Sequence, residues 1–134
     1  MAKGLEKHRE RQQQLSLLGK DLARRSGRKC ELCHAAGESL TACEALYQPD
    51  PDLDSCLFLC ARCREQLESQ KNHDTNYLRC LNHSIWSDIP LVQATALYLL
   101  DKLDADWAEA LAEQVYRYPE LDELMAQIDK HLSR

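Results

Sequence analysis

The residues best suited to chemistry are cysteines. Cys30-Glu31-Leu32-Cys33 and Cys60-Ala61-Arg62-Cys63 form two Cys-x-x-Cys pairs, a spacing that lets two sulfurs of one turn face a single ion. The 26 residues from 34 to 59 separate them, enough chain for a hairpin that brings the pairs together. Four thiolates complete a tetrahedral Zn²⁺ shell and leave no position for water or substrate. The expected cofactor is therefore one structural Zn²⁺ held by Cys30, Cys33, Cys60 and Cys63. Such binding supplies about 10–16 kcal/mol of apparent free energy, ample to order a small core.

Other donors compete for this role. A redox dithiol would need one pair at a helix start within a βαβ pattern. The stretch "FLCARC" mimics the first condition, but no βαβ pattern surrounds it. His34 follows Cys33 directly and could replace a sulfur. His73 and His83 lie beyond the second pair with no partner at ligand spacing, and read as surface histidines. Cys43, Cys56 and Cys80 are irregularly spaced and read as small buried hydrophobes.

The bulk properties narrow the class. The chain has 134 residues, seven cysteines and a formal net charge of −5. Paired cysteines in a chain with a polar, charged N-terminus and no secretory pattern favour metal ligation in a reducing, cytoplasmic setting. No apolar run approaches a membrane span, so no membrane association is expected. Residues 1–29 carry nine Lys/Arg against three Asp/Glu, whereas residues 30–134 carry eight against nineteen. The basic arm could meet nucleic acid or an acidic surface, but the acidic body excludes a broad nucleic-acid face.

The expected fold is mainly α with a small β-hairpin zinc finger, treble-clef-like, flanked by helices. Residues 1–27 form a basic N-terminal helix, 28–87 the finger, and 88–134 a helical tail packed on it. In the first segment Leu15, Leu18 and Leu22 make a narrow docking stripe, and Gly27 is a left-handed stop. "LTACEALY" and "SCLFLC" predict two short strands around the "QPDPDLD" loop, and "ARCREQLESQK" a following helix. Beyond Ser87, with Ser87 or Asp88 as cap and Pro90 in the first turn, three apolar stripes predict three helices. These are Val92, Ala96, Leu99, Leu100 and Leu103; then Trp107, Leu111 and Val115; then Leu121, Leu124, Met125, Ile128 and Leu132.

The two pairs around a hairpin resemble the finger of His-Asn-His (HNH) endonucleases. That resemblance implies a general-base His, an Asn and a metal-binding His at positions that here hold Cys43 or Glu44, Ser55 and Arg64. Arg64 is permanently cationic and cannot ligate a metal. Neither Cys43 nor Glu44 supplies the near-neutral pKa that a histidine base offers. The scaffold is similar and the nuclease chemistry is missing. A binding role without cleavage would rest on Arg24, Arg25, Arg28, Lys29, Arg62 and Arg64, which could cluster near the knuckles and meet phosphate or a protein.

A closer likeness runs through "LARRSGRKCELC", "LFLCARCREQLE" and "LRCLNHSIWSDIPLVQATALYLL". From about Leu22 to about Tyr116 the chain resembles the zinc-ribbon region of the alkylphosphonate-utilisation operon protein PhnA family, in its longer proteobacterial form. The resemblance implies a zinc-binding, non-enzymatic interaction module, with the four cysteines as ligands and a protein partner or a second copy as its target. A nucleic-acid-binding finger of degenerate HNH ancestry is the alternative. Within the second motif, Cys80 and Trp86 are expected to anchor the tail on the finger, and Asn82 to cap a turn. Relatives often carry a small β-rich domain after the finger, whereas this chain continues in helix.

Overall fold

The computed structural model describes residues 2–133. Helix α1 spans Ala2–Ser26, strands β1 and β2 span Leu40–Glu44 and Cys56–Cys60, and α2 spans Ala61–Glu68. A 3₁₀ turn at Tyr77–Cys80 runs into the short α3, Leu81–Ser84. Helices α4 (Pro90–Lys102), α5 (Asp106–Glu113) and α6 (Pro119–Leu132) complete the described chain. The architecture is mainly helical around one antiparallel hairpin, as the sequence predicts.

Helix α1 is half arm and half dock. Residues 4–10 are all exposed, while Leu22 is fully buried and Leu15 and Leu18 are half-buried. The helix lies against both strands of the hairpin. Arg11 fastens its middle: Nε donates to Glu44 Oε2 at 3.0 Å and Nη1 to the Pro49 carbonyl at 3.1 Å. The C-terminus closes with Arg28 N–H donating to the Ala23 carbonyl at 2.8 Å and Gly27 N–H to Arg24 at 3.3 Å. This is a Schellman closure, and it needs the left-handed φ of 65° that Gly27 adopts without a Cβ penalty.

The hairpin pairs Leu40 with Cys60, Ala42 with Phe58 and Glu44 with Cys56. Leu57, Leu59 and Cys60 are buried, so β2 reads as a continuous apolar run covered on both faces. One of those covers is α4, which packs against β2, α3, α5 and α6. That explains a departure from the expected stripe. Leu91, Ala94, Leu97 and Tyr98 are buried along with Val92, Ala96, Leu99, Leu100 and Leu103, because a helix enclosed by neighbours on all sides has no solvent face to make it amphipathic.

The other tail helices follow their stripes. Leu111 and Val115 are buried and Trp107 is half-buried; Leu121 and Ile128 are buried, with Leu124, Met125 and Leu132 half-buried beside them. Pro90 and Pro119 each open a helix, where a missing N–H costs nothing. The cap expected at Ser87 or Asp88 differs in detail. Ile89 is the N-cap residue, without a side-chain cap. Ser87 Oγ instead accepts from Ile89 N–H at 3.1 Å, one residue before the helix. A single contiguous buried cluster runs from Cys30 in the finger to Ile128 in α6.

Candidate metal centre

The four Sγ atoms of Cys30, Cys33, Cys60 and Cys63 all lie within 4.8 Å of one another. Cys30 and Cys33 sit on a tight knuckle in which His34 N–H donates to the Cys30 carbonyl at 2.8 Å and Cys30 N–H to Ala35 at 3.0 Å. Cys60 is the last residue of β2 and the N-cap of α2, and Cys63 stands in that helix's first turn. Sequence-distant pairs thus converge because the hairpin returns the chain to the knuckle. The bonds from Glu31 N–H to the Phe58 carbonyl at 2.9 Å and from Phe58 N–H to Glu31 Oε1 at 2.8 Å fix that return.

The donors fit a metal and not a disulfide. Zn–S bonds of about 2.3 Å in a tetrahedron place the sulfurs about 3.8 Å apart, and Cys33 and Cys60 stand at 3.7 Å. A disulfide needs about 2.05 Å, and all seven cysteines are free. Cys30, Cys60 and Cys63 are buried and Cys33 is half-buried, so the set is closed around one point. His34 belongs to no such group; its backbone sits at φ 63° and its ring faces His83 instead of the sulfurs.

Three of these thiols, Cys30, Cys33 and Cys63, are held toward the protonated form in the metal-free chain. The Cys30 pKa is raised by its hydrogen bond with Cys63 and by burial, against the N–H groups of Cys33 and Cys60. At Cys63, the hydrogen bond with Cys30 favours the thiolate, but neighbouring Cys80 and burial outweigh it. Burial leads the upward shift at Cys33. A thiophilic dication at this point would displace these protons and link the knuckle to the strand–helix joint.

Tyr77 is the residue that sequence reasoning missed. Its hydroxyl lies 3.1 Å from Cys63 Sγ and 3.6 Å from Cys60 Sγ. Burial and the adjacent sulfurs push its pKa up, so it keeps its proton and can donate it to a thiolate there. Two contacts hold the ring. Asp74 Oδ1 accepts from Tyr77 N–H at 3.0 Å, and the Arg62 guanidinium stacks 3.9 Å from the ring centroid while bonding Asp74 at 2.8 Å. The Asp-x-x-Tyr spacing in "DTNY" is a local cap signal. Nothing local connects it to a sulfur on α2.

The six basic residues divide. Arg25 is turned inward: Nε and Nη2 donate to Glu31 at 2.9 and 2.8 Å, and Nη2 also reaches the Cys56 carbonyl at 2.8 Å. Arg62 is engaged with Asp74 and Tyr77, and Arg64 donates to Glu68 at 2.8 Å. Arg24, Arg28 and Lys29 are exposed. The residues expected at nuclease positions from the sequence are engaged within the chain. Cys43 is buried, and both Glu44 oxygens accept from Arg11. Ser55 is buried, with its hydroxyl donating to the Asp52 carbonyl at 3.2 Å.

The second motif holds the tail differently from expectation. Trp86 is 51% exposed and lies outside the buried core, whereas Leu78, Leu81 and Ile85 are part of it at 0% exposure. Arg79 stacks 5.0 Å from the Trp107 ring and ties the motif to α5. Cys80, half-buried, stands beside Cys63. Asn82 Nδ2 donates to the Arg79 carbonyl at 3.1 Å and does close a turn. His73 is half-buried, with Nε2 unpartnered, and is not the surface residue expected. Among the described residues no helix is long and apolar enough to cross a membrane. The chain matches no protein-family model, no curated protein and no solved structure.

Proposed function

We propose that this chain is a non-enzymatic zinc module of the PhnA type, in which one structural Zn²⁺ on Cys30, Cys33, Cys60 and Cys63 holds a treble-clef-like finger. The observation that carries the reading is the convergence of four sulfurs within 4.8 Å from a knuckle and a strand–helix joint. That donor set is soft and closed, which suits Zn²⁺ in a structural role. The engagement of Glu44, Ser55 and Arg64 in local hydrogen bonds supports a role without nuclease chemistry.

Its action is the presentation of a surface to a protein partner or a second copy in the cytoplasm. Two exposed leucines of α1, Leu5 at 54% and Leu17 at 79% exposure, support a protein contact. Three of the six basic residues are committed within the chain, which weighs against the phosphate-binding alternative. Affinity capture of the tagged chain from its own cell extract, with and without nuclease, separates the two. A protein partner retained after nuclease treatment supports the module. A complex that vanishes with nuclease and weakens steeply between low and moderate salt overturns it in favour of nucleic acid.

A further inference from the structure

Two histidines far apart in sequence meet on the surface of the finger. His34 ends the knuckle and His83 lies in α3; both are exposed, with ring centroids 5.8 Å apart and planes at 79°. Each is set on a fixed element. The His34 backbone is pinned by its N–H bond to the Cys30 carbonyl at 2.8 Å, and α3 is held by Leu81 and Ile85, both fully buried.

Imidazole nitrogens bind borderline transition-metal dications at about 2.0–2.1 Å, which puts a shared ion about 3.2 Å from each ring centre and the two centres about 4.5–5.2 Å apart in cis-octahedral or tetrahedral geometry. The observed 5.8 Å lies slightly beyond that range, and rotation of these two exposed side chains that moves the rings by about an ångström or less would bring both onto one ion. Among the described residues, the four-cysteine set is the only group of three or more His, Cys, Asp or Glu side chains gathered at metal-binding distance. The histidine pair would therefore supply two ligands and leave the remaining positions to water.

We propose that His34 and His83 form a second metal site, open and exchangeable, for an imidazole-preferring transition-metal dication such as Zn²⁺ or Ni²⁺. It differs from the cysteine centre in donor softness, exposure and the number of protein ligands. An ion there bridges the knuckle to α3, so it binds the folded chain and not the unfolded one, and it raises the melting temperature by mass action. The site is independent of the function proposed above, and requires only that the finger be folded.

The test is titration of purified protein, its cysteine centre already loaded, with Ni²⁺ alone, followed by calorimetry and thermal melting. One equivalent bound with a rise in Tm is expected. Both should be lost in His34→Asn and in His83→Gln, with the metal content of the cysteine centre unchanged. Asparagine is chosen at position 34 because it tolerates the left-handed backbone. Should a variant fail to fold, wild-type NMR decides: paramagnetic Ni²⁺ should broaden the rings of His34 and His83 before those of His8, His73 and His131. No binding, binding that survives in both variants, or broadening led by another histidine overturns the site and leaves a ring contact only.

Discussion

The Tyr77 hydroxyl stands 3.1 Å from Cys63 Sγ, reaching the cysteine cluster from outside the ligand set. A donor in that position drains charge from a thiolate and orients it. Outer-shell partners of metal ligands typically contribute about 10–100-fold to affinity. Tyr77→Phe should retain the fold and the metal stoichiometry, yet release zinc to a competing chelator at a concentration lower by about that factor. Unchanged competition would reduce the contact to packing.

Arg25 and Glu31 make the second test. The Glu31 side chain is 2% exposed and Arg25 18%, so removing the cation leaves a carboxylate buried without its partner. Arg25→Ala should cost about 3 kcal/mol in urea unfolding, the lower end for broken buried pairs because some solvent reaches the arginine. Arg24→Ala, one residue earlier and exposed, should stay within about 0.5 kcal/mol. Equal effects would mean that the bidentate pair does not order the finger.

The enclosure of α4 predicts a similar contrast. Leu97→Ala or Leu99→Ala, both at 0% exposure, should each cost about 2–5 kcal/mol by lost burial and a residual cavity. Leu17→Ala on the exposed face of α1 should be nearly neutral to thermal unfolding.

Local signals made much of this legible from the residues alone. The cysteine spacing, the stripe of Leu15, Leu18 and Leu22, the Gly27 stop and the proline helix starts act within a few residues, and the structure repeats them. Contacts between distant segments were not legible. Tyr77 reaches Cys63, and His34 meets His83, only because the hairpin and α3 are folded onto the knuckle. The same limit explains Trp86 and Arg25. A large aromatic next to Ile85 suggests an anchor, but the turn points isoleucine inward; a basic residue in a basic run suggests a solvent face, but Glu31 waits beneath it. The all-round burial of α4 was hidden because periodicity reports one covered face, not how many neighbours cover the rest.

Burial of Cys43 sets a pH dependence. Desolvation pushes its thiol from 9.0 up to about 12 in the folded chain, while the unfolded chain ionises near the ordinary value. The folded state therefore holds the proton longer. The contribution is fully present below about pH 9 and is lost as pH rises toward about 12. Cys56, also raised chiefly by burial, acts in the same direction. Chemical unfolding at pH values stepped upward from 9 should show stability falling, and Cys43→Ala should flatten the fall. An unaltered slope would contradict the assignment.

Metal content decides the central claim. Elemental analysis of the purified wild-type chain should find about one zinc per chain, by four-sulfur stoichiometry, with loss of that zinc in Cys30→Ser and in Cys63→Ser. A wild-type chain without zinc, or full retention in both variants, would contradict a structural zinc on Cys30, Cys33, Cys60 and Cys63.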